Sequence, residues 1–164
     1  MGLLDLNQRK RLSELESEDF EIQGSLDEMD PIVRGISVES KNCRPGYIFF
    51  AIKGYSKHGA HFAKYALENG AILIVTDSEG AHILQKEDIK VATLIVMNPR
   101  QKLAKYAARW NEIQPKTQIA ITGTNGKTSV CHFTQQIWQC LGHRAASIGT
   151  LGVHGEMHFD IEHT

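Results

Sequence analysis

One stretch restricts the possible folds of this 164-residue chain more than any other: Gln118-Ile119-Ala120-Ile121-Thr122, followed at once by Gly123-Thr124-Asn125-Gly126-Lys127-Thr128. The first five residues are an apolar run of strand length and composition. Beyond the loop, Val130, Phe133, Ile137, Trp138 and Leu141 recur at helical spacing until Gly142 stops the pattern. Ala145 to Gly149 then reads as a further strand. Residues 116–164 therefore predict a strand–loop–helix–strand unit, the start of a parallel sheet.

The loop between strand and helix has the composition of a phosphate cradle. Gly123 and Gly126 let the backbone turn tightly and approach a ligand without a Cβ clash. Successive N–H groups and the positive end of the following helix then face the anion. In such loops the lysine, here Lys127, reaches the β- and γ-phosphates, and the hydroxyl of Thr128 is a Mg²⁺ ligand. The spacing departs from the common pattern, because Ile121 stands where its first glycine would be; the loop is the shorter Gly-x-x-Gly-Lys-Thr.

Upstream, strands and helices alternate. Ile32, Val33, Ile36 and Val38 suggest a short strand over 31–37, Pro45-Gly46 a turn, and Tyr47 to Ile52 a buried strand. A helix is expected over 58–69, with Phe62, Ala63, Ala66 and Leu67 on one face and Gly70 as its stop. Ala71 to Val75 and Thr93 to Met97 read as two more strands, and Pro99 opens a helix carrying Leu103, Tyr106, Ala107 and Trp110. Leu3, Leu4, Leu12 and Leu15 fit either a short amphipathic helix near the start or a frayed terminal segment. The polar stretch Asn111 to Lys116, with Pro115, marks a boundary, giving an α/β domain over 1–115 and the truncated start of a second domain over 116–164.

Charge and cysteine usage narrow the function classes. With 18 basic and 19 acidic residues the formal charge is -1, so no basic excess exists to drive nucleic-acid binding. Cys43, Cys131 and Cys140 contain no Cys-x-x-Cys pair, which suits reduced thiols and a cytoplasmic protein. No apolar stretch reaches membrane-span length and no signal peptide is evident, so no membrane partner is expected; oligomeric state is not indicated. His154, His158, Asp160, Glu162 and His163 cluster without the spacing of a zinc site. His58 and His61 suit a solvent-facing or helix-start role better than a metal, and Cys131 suits burial better than reactivity.

The phosphate loop resembles that of the Mur ligase family, often Gly-Thr-Asn-Gly-Lys-Thr. The likeness extends further. Val38-Glu39-Ser40-Lys41 and Arg44-Pro45-Gly46-Tyr47-Ile48-Phe49-Phe50-Ala51 resemble the family's Asp-Ser-Arg…Pro-Gly-Asp-Leu-Phe-Val-Ala signature, with Glu39 and Lys41 in place of Asp and Arg. His58-Gly59-Ala60-His61-Phe62 and Asn69-Gly70-Ala71 continue it. Ile148-Gly149-Thr150-Leu151-Gly152 is similar to the branch that adds the third residue of the peptidoglycan stem peptide, and His163-Thr164 to the opening of that branch's Asn/His-Thr-Thr-Pro motif.

The resemblance implies a small uridine-binding α/β domain followed by the beginning of a parallel-sheet ATPase domain. It implies that Val38, Ser40, Tyr55, Ser56 and Lys57 contact the UDP end of UDP-MurNAc-L-Ala-D-Glu, and that His163 and Thr164 touch its sugar-peptide part. It also implies that Thr122, Gly123, Thr124, Asn125, Gly126, Lys127 and Thr128 bind ATP with Mg²⁺, Lys127 serving the chemistry. The implied reaction activates the substrate carboxylate as an acyl phosphate, which the amine of diaminopimelate or lysine then attacks. Residues beyond Thr164 would be needed, so the chain alone is expected to be inactive. A UDP-sugar binding module with a vestigial ATPase segment, and a sister or folate-type ligase, are the alternatives.

Overall fold

The computed structural model describes residues 9–16, 22–24, 30–112 and 114–155. The chain divides between Gln114 and Pro115 into two compact units. In the first, β1 (Lys10–Arg11), α1 (Leu12–Leu15), β2 (Ile22–Gln23), β3 (Ile32–Val33), β4 (Gly35–Ser37) and β5 (Tyr47–Phe50) lead to α2 (Ala63–Glu68), β6 (Ala71–Thr76), α3 (Ser78–Lys86), β7 (Thr93–Ile95) and α4 (Pro99–Asn111). The main sheet has the order β2-β7-β6-β5-β4; β4 to β7 are parallel, and β2 closes one edge antiparallel to β7. β1 and β3 form a separate antiparallel pair.

The pleat of β5 explains why this sheet needs helices on both faces. Ile48 and Phe50 point into one cluster with Leu12, Leu15, Leu73, Val75, Tyr106 and Trp110, beneath α1 and α4. Phe49 and Ala51 point the other way, into a cluster with Ala60, Ala63, Ala66, Ile74 and Leu84 beneath α2 and α3. Phe50 meets Tyr106 edge to face, with ring centroids 5.5 Å apart. α4 starts as its sequence dictates: the Asn98 side chain accepts from Gln101 N at 3.0 Å, and Pro99 takes the first turn, where its missing N–H is harmless.

A buried polar knot crosses the first cluster. Glu16 Oε2 accepts from Lys102 Nζ at 2.7 Å and from the Tyr106 hydroxyl at 3.0 Å. Arg109 donates to the carbonyl of Leu15. Burial, and then the Glu16 carboxylate, push the Tyr106 phenol well above its ordinary value of 10. In the folded state Tyr106 keeps its proton where the unfolded phenol has lost it. Its contribution is thus fully present below pH 10 and falls at about 1.4 kcal/mol per pH unit above it. Tyr106→Phe is expected to remove that alkaline decline while costing about 1 kcal/mol at neutral pH; urea unfolding at pH 8 and pH 10.5 measures both.

The structure corrects several sequence expectations. The stretch 31–37 is two strands in two sheets: the chain breaks at Arg34, whose N–H goes to the carbonyl of Gly46, and Val38 lies outside the strand, half-exposed. The expected helix over 58–69 begins as a 3-10 turn, Gly59–Phe62, and its buried face is built from Ala60, Ala63 and Ala66, leaving Phe62 nearly half-exposed. Close packing on small residues leaves no room for a larger ring there. α3 was not expected at all. Leu3 and Leu4 lie outside the described residues.

In the second unit, α5 (Lys127–Cys140) follows the glycine loop, and β8 (Ala146–Gly149) pairs with β9 (Gly152–Gly155) as an antiparallel hairpin, Ile148 opposite Val153. Residues 118–122 form no strand, contrary to the sequence reading, and Ile119 is more than half-exposed. A parallel strand needs a neighbour to complete its ladder. Among the described residues none supplies one. For the same reason the apolar stripe of α5 is open: Val130, Phe133, Ile137 and Leu141 are each at least half-exposed.

Candidate functional site

The parallel strands β4 to β7 end along one edge of the main sheet, and the sequence-predicted uridine contacts gather there. In open parallel sheets this carboxyl edge is where ligands bind, because the connecting loops leave a crevice. Val38 and Ser40 follow β4, with Ser40 opening a 3-10 turn, Ser40–Asn42. Asn69 Nδ2 donates to the Ser40 carbonyl at 3.1 Å, anchoring that turn. The Ser40 hydroxyl has no hydrogen-bond partner among the described residues.

Beyond β5 the chain forms a tight loop. Lys53 and His58 pair as an isolated antiparallel bridge, and Gly54 N donates to the Lys57 carbonyl at 3.0 Å. This closure holds Tyr55, Ser56 and Lys57 at the tip, all exposed. The base of the loop is fastened by groups that sequence reading did not single out for this role. Lys53 Nζ meets Glu79 Oε2 at 2.8 Å, and this hydrogen bond holds the Lys53 ammonium above its ordinary value. Arg100 Nη2 donates to the Lys53 carbonyl at 2.9 Å.

His58, expected to face solvent or start a helix, is instead buried beneath the loop. Its Nδ1 accepts from Ala60 N at 3.0 Å, which leaves the proton on Nε2, 3.1 Å from Asp77 Oδ1. The same Asp77 oxygen accepts from Gly80 N at 2.8 Å and caps α3. Gly80 is required by this packing: a Cβ there would fall 1.9 Å from Thr76 Oγ1 and 2.6 Å from His58 Cε1. His61, on the same turn, meets Glu87 at 2.7 Å. Among the described residues no cluster of three or more His, Cys, Asp or Glu side chains could hold a metal ion.

The phosphate loop lies in the second unit. Gly126 caps α5 with φ +75°, a left-handed conformation that a side chain would strain. A Cβ there would meet nothing within 4 Å, so the space above the helix start is open to a ligand. Lys127 folds back over the loop, donating to the carbonyls of Gly123 and, at 3.3 Å, of Thr124. Thr128 Oγ1 lies 3.4 Å from Thr150 Oγ1, the threonine of the Ile148–Gly152 segment in the β8–β9 turn. Thr122 to Thr128 are exposed. Cys131 is half-buried. His158, Asp160, Glu162, His163 and Thr164 lie outside the described residues.

Known proteins are similar to this chain. The family model for the Mur ligase family, catalytic domain, matches residues 32–111. UDP-N-acetylmuramoyl-L-alanyl-D-glutamate–2,6-diaminopimelate ligase of Bradyrhizobium diazoefficiens is 46% identical over 121 residues, covering 74% of this chain and 24% of that one. The chain belongs to the Mur ligase family. The ligase of the same name from Caulobacter vibrioides is 38% identical over 144 residues, covering 88% of this chain and 27% of that one. An aligned stretch of that length in this chain necessarily includes the loop 122–128.

This Mur ligase chain spans about a quarter of the length of the curated relatives it matches. Among solved structures, one of a UDP-N-acetylmuramoyl-L-alanyl-D-glutamate–2,6-diaminopimelate ligase shares the fold, with TM-score 0.69 at 23% identity, over 92% of this chain and 29% of that one. MurF ligase from Thermotoga maritima, solved in complex with ADP, aligns with TM-score 0.50 at 26% identity, over 69% of this chain and 24% of that one. No helix among the described residues is long and apolar enough to cross a membrane.

Proposed function

We propose that this chain is the N-terminal part of the ligase that adds diaminopimelate to UDP-MurNAc-L-Ala-D-Glu, with the UDP end held by residues 1–115 and ATP by the loop that opens residues 116–164. The observation that carries the reading is the carboxyl edge of the main sheet, where Val38, Ser40 and the loop tip Tyr55-Ser56-Lys57 follow two adjacent parallel strands. The names of the relatives supply the acceptor and the amino acid. The ADP bound to the MurF relative supports an adenine nucleotide as the second ligand, and the Gly-x-x-Gly-Lys-Thr pattern points to Thr122 to Thr128 as its holder.

In this reading the substrate carboxylate attacks the γ-phosphorus of ATP, ADP leaves, and the amine of diaminopimelate displaces phosphate from the acyl carbon. Lys127 neutralises charge on the phosphates. Thr128 suits Mg²⁺ as one ligand: the ion takes hard oxygen donors and keeps several waters and phosphate oxygens beside its protein ligands. Bound there, Mg²⁺ would offset the phosphate charge. The first unit has a core closed on both sheet faces, whereas the α5 stripe of the second is open. Substrate binding is therefore expected of the chain by itself, and turnover is not. The reading places the protein in the cytoplasm, where nucleotide precursors are made.

Calorimetric titration of the 164-residue chain with UDP-MurNAc-L-Ala-D-Glu tests this. Saturable binding is expected, weakened about 2- to 10-fold by Ser40→Ala, the range for one neutral hydrogen bond. A folded chain that shows no binding contradicts the assignment.

A further inference from the structure

Three parallel strands contribute one connection each to the base of the loop 53–58, and the three are fastened together. From beyond β7, Arg100 donates to the Lys53 main-chain carbonyl at 2.9 Å. From beyond β6, Glu79 holds the Lys53 ammonium at 2.8 Å, and Asp77 holds His58 at 3.1 Å from the other end of the loop. The loop itself closes through the Lys53–His58 bridge and the Gly54–Lys57 hydrogen bond. Its tip is different. Tyr55 is fully exposed, and none of Tyr55, Ser56 or Lys57 has a side-chain partner among the described residues. A tip with no packing of its own keeps one conformation only if its base is fixed.

Lys53 is exposed and flexible, so its ion pair with Glu79 contributes little by itself. The Arg100 bond differs in kind, because it fixes main chain. It is also the one described side-chain hydrogen bond that ties this loop to the start of α4. We propose that Arg100 is a positioning residue: it touches no substrate, but by gripping the Lys53 carbonyl it preorganises Tyr55, Ser56 and Lys57 to close over the nucleoside end of the ligand. This rests on the uridine-site reading above. Preorganisation of this sort removes the ordering entropy that a loose loop would lose on binding.

The test uses the full 164-residue chain, amide exchange by NMR without ligand, and calorimetry with UDP-MurNAc-L-Ala-D-Glu. Arg100→Ala is expected to speed exchange at Gly54 and Gly59, whose amides close the base of the tip, while leaving Ile48 and Leu73 protected, and to raise Kd about 3- to 10-fold. Arg100→Lys, which retains a cationic donor, is expected to recover most of the affinity. In a chain with Tyr55, Ser56 and Lys57 all changed to alanine, Arg100→Ala is expected to add no further loss, whereas a general structural role would still add one. Unchanged exchange at Gly54 and Gly59 with unchanged Kd overturns the proposal. So does a loss of protection shared by β5 and β6, which would mark Arg100 as a fold residue. If the parent chain fails to bind while Arg100→Ala still loosens the tip, the uridine reading fails and the positioning role stands.

Discussion

Glu16→Ala is expected to destabilise the first unit by about 3–5 kcal/mol, the usual result of removing one partner from a buried ion pair. The Glu16 side chain is 1% exposed and that of Lys102 11%, so the ammonium left behind would stay largely out of water. The Tyr106 hydroxyl would lose its acceptor in the same step. The knot also ties α1 to α4 across the sheet face on which Phe50 and Tyr106 stack. Urea unfolding measures the loss as a lower midpoint at unchanged slope. Replacing Glu16 and Lys102 together by methionine is expected to recover most of it, since two matched apolar side chains leave no buried charge. A single substitution costing less than about 1 kcal/mol would show that water reaches the pair.

Lys127→Ala is expected to lower the affinity of the chain for ADP by about 10- to 100-fold, equivalent to the roughly 1.5–3 kcal/mol of a charge-assisted hydrogen bond. The Lys127 ammonium rests on the carbonyls of Gly123 and Thr124, over the loop. The rest of the cradle is main chain and the α5 N-terminus, which the substitution leaves in place. Fluorescence titration with a labelled ADP measures the change. Equal affinity in the two chains would mean that the loop does not hold the phosphates.

What could be read from the sequence was local. Tyr47 to Phe50 and Ala71 to Thr76 are apolar runs that only a doubly covered sheet accommodates, and both are strands of its centre. The helix at Pro99 announced itself through its first-turn proline and its apolar stripe. α3 was missed because its buried face consists of Gly80 and Leu84, and a glycine in that position reads as a breaker. Its start signal, Asp77 before Ser78 and Glu79, was present and would have found it. The run 118–122 misled in the opposite direction: its composition is that of a strand, but a strand exists only with a partner.

The site divides in the same way. The phosphate loop is contiguous, so residue types and order reveal it. The fastening of the loop 53–58 depends on Asp77, Glu79 and Arg100, which are 19 to 47 residues away from their partners in the chain. Nothing in the local pattern joins them. They become visible only once β5, β6 and β7 lie side by side in parallel register.

The central claim is that one chain carries two separate ligand sites. The most direct test is to follow backbone amide shifts of the 164-residue chain by NMR with UDP, the end of the substrate assigned to the first unit, and with Mg²⁺–ADP, each alone. The account predicts that the first ligand moves Val38, Ser40, Tyr55, Ser56 and Lys57 and leaves 122–128 unmoved, and that the second moves Gly123 to Thr128 and leaves the carboxyl edge of the sheet unmoved. Shifts from both ligands at the same residues, or from the UDP compound only at the phosphate loop, would contradict it.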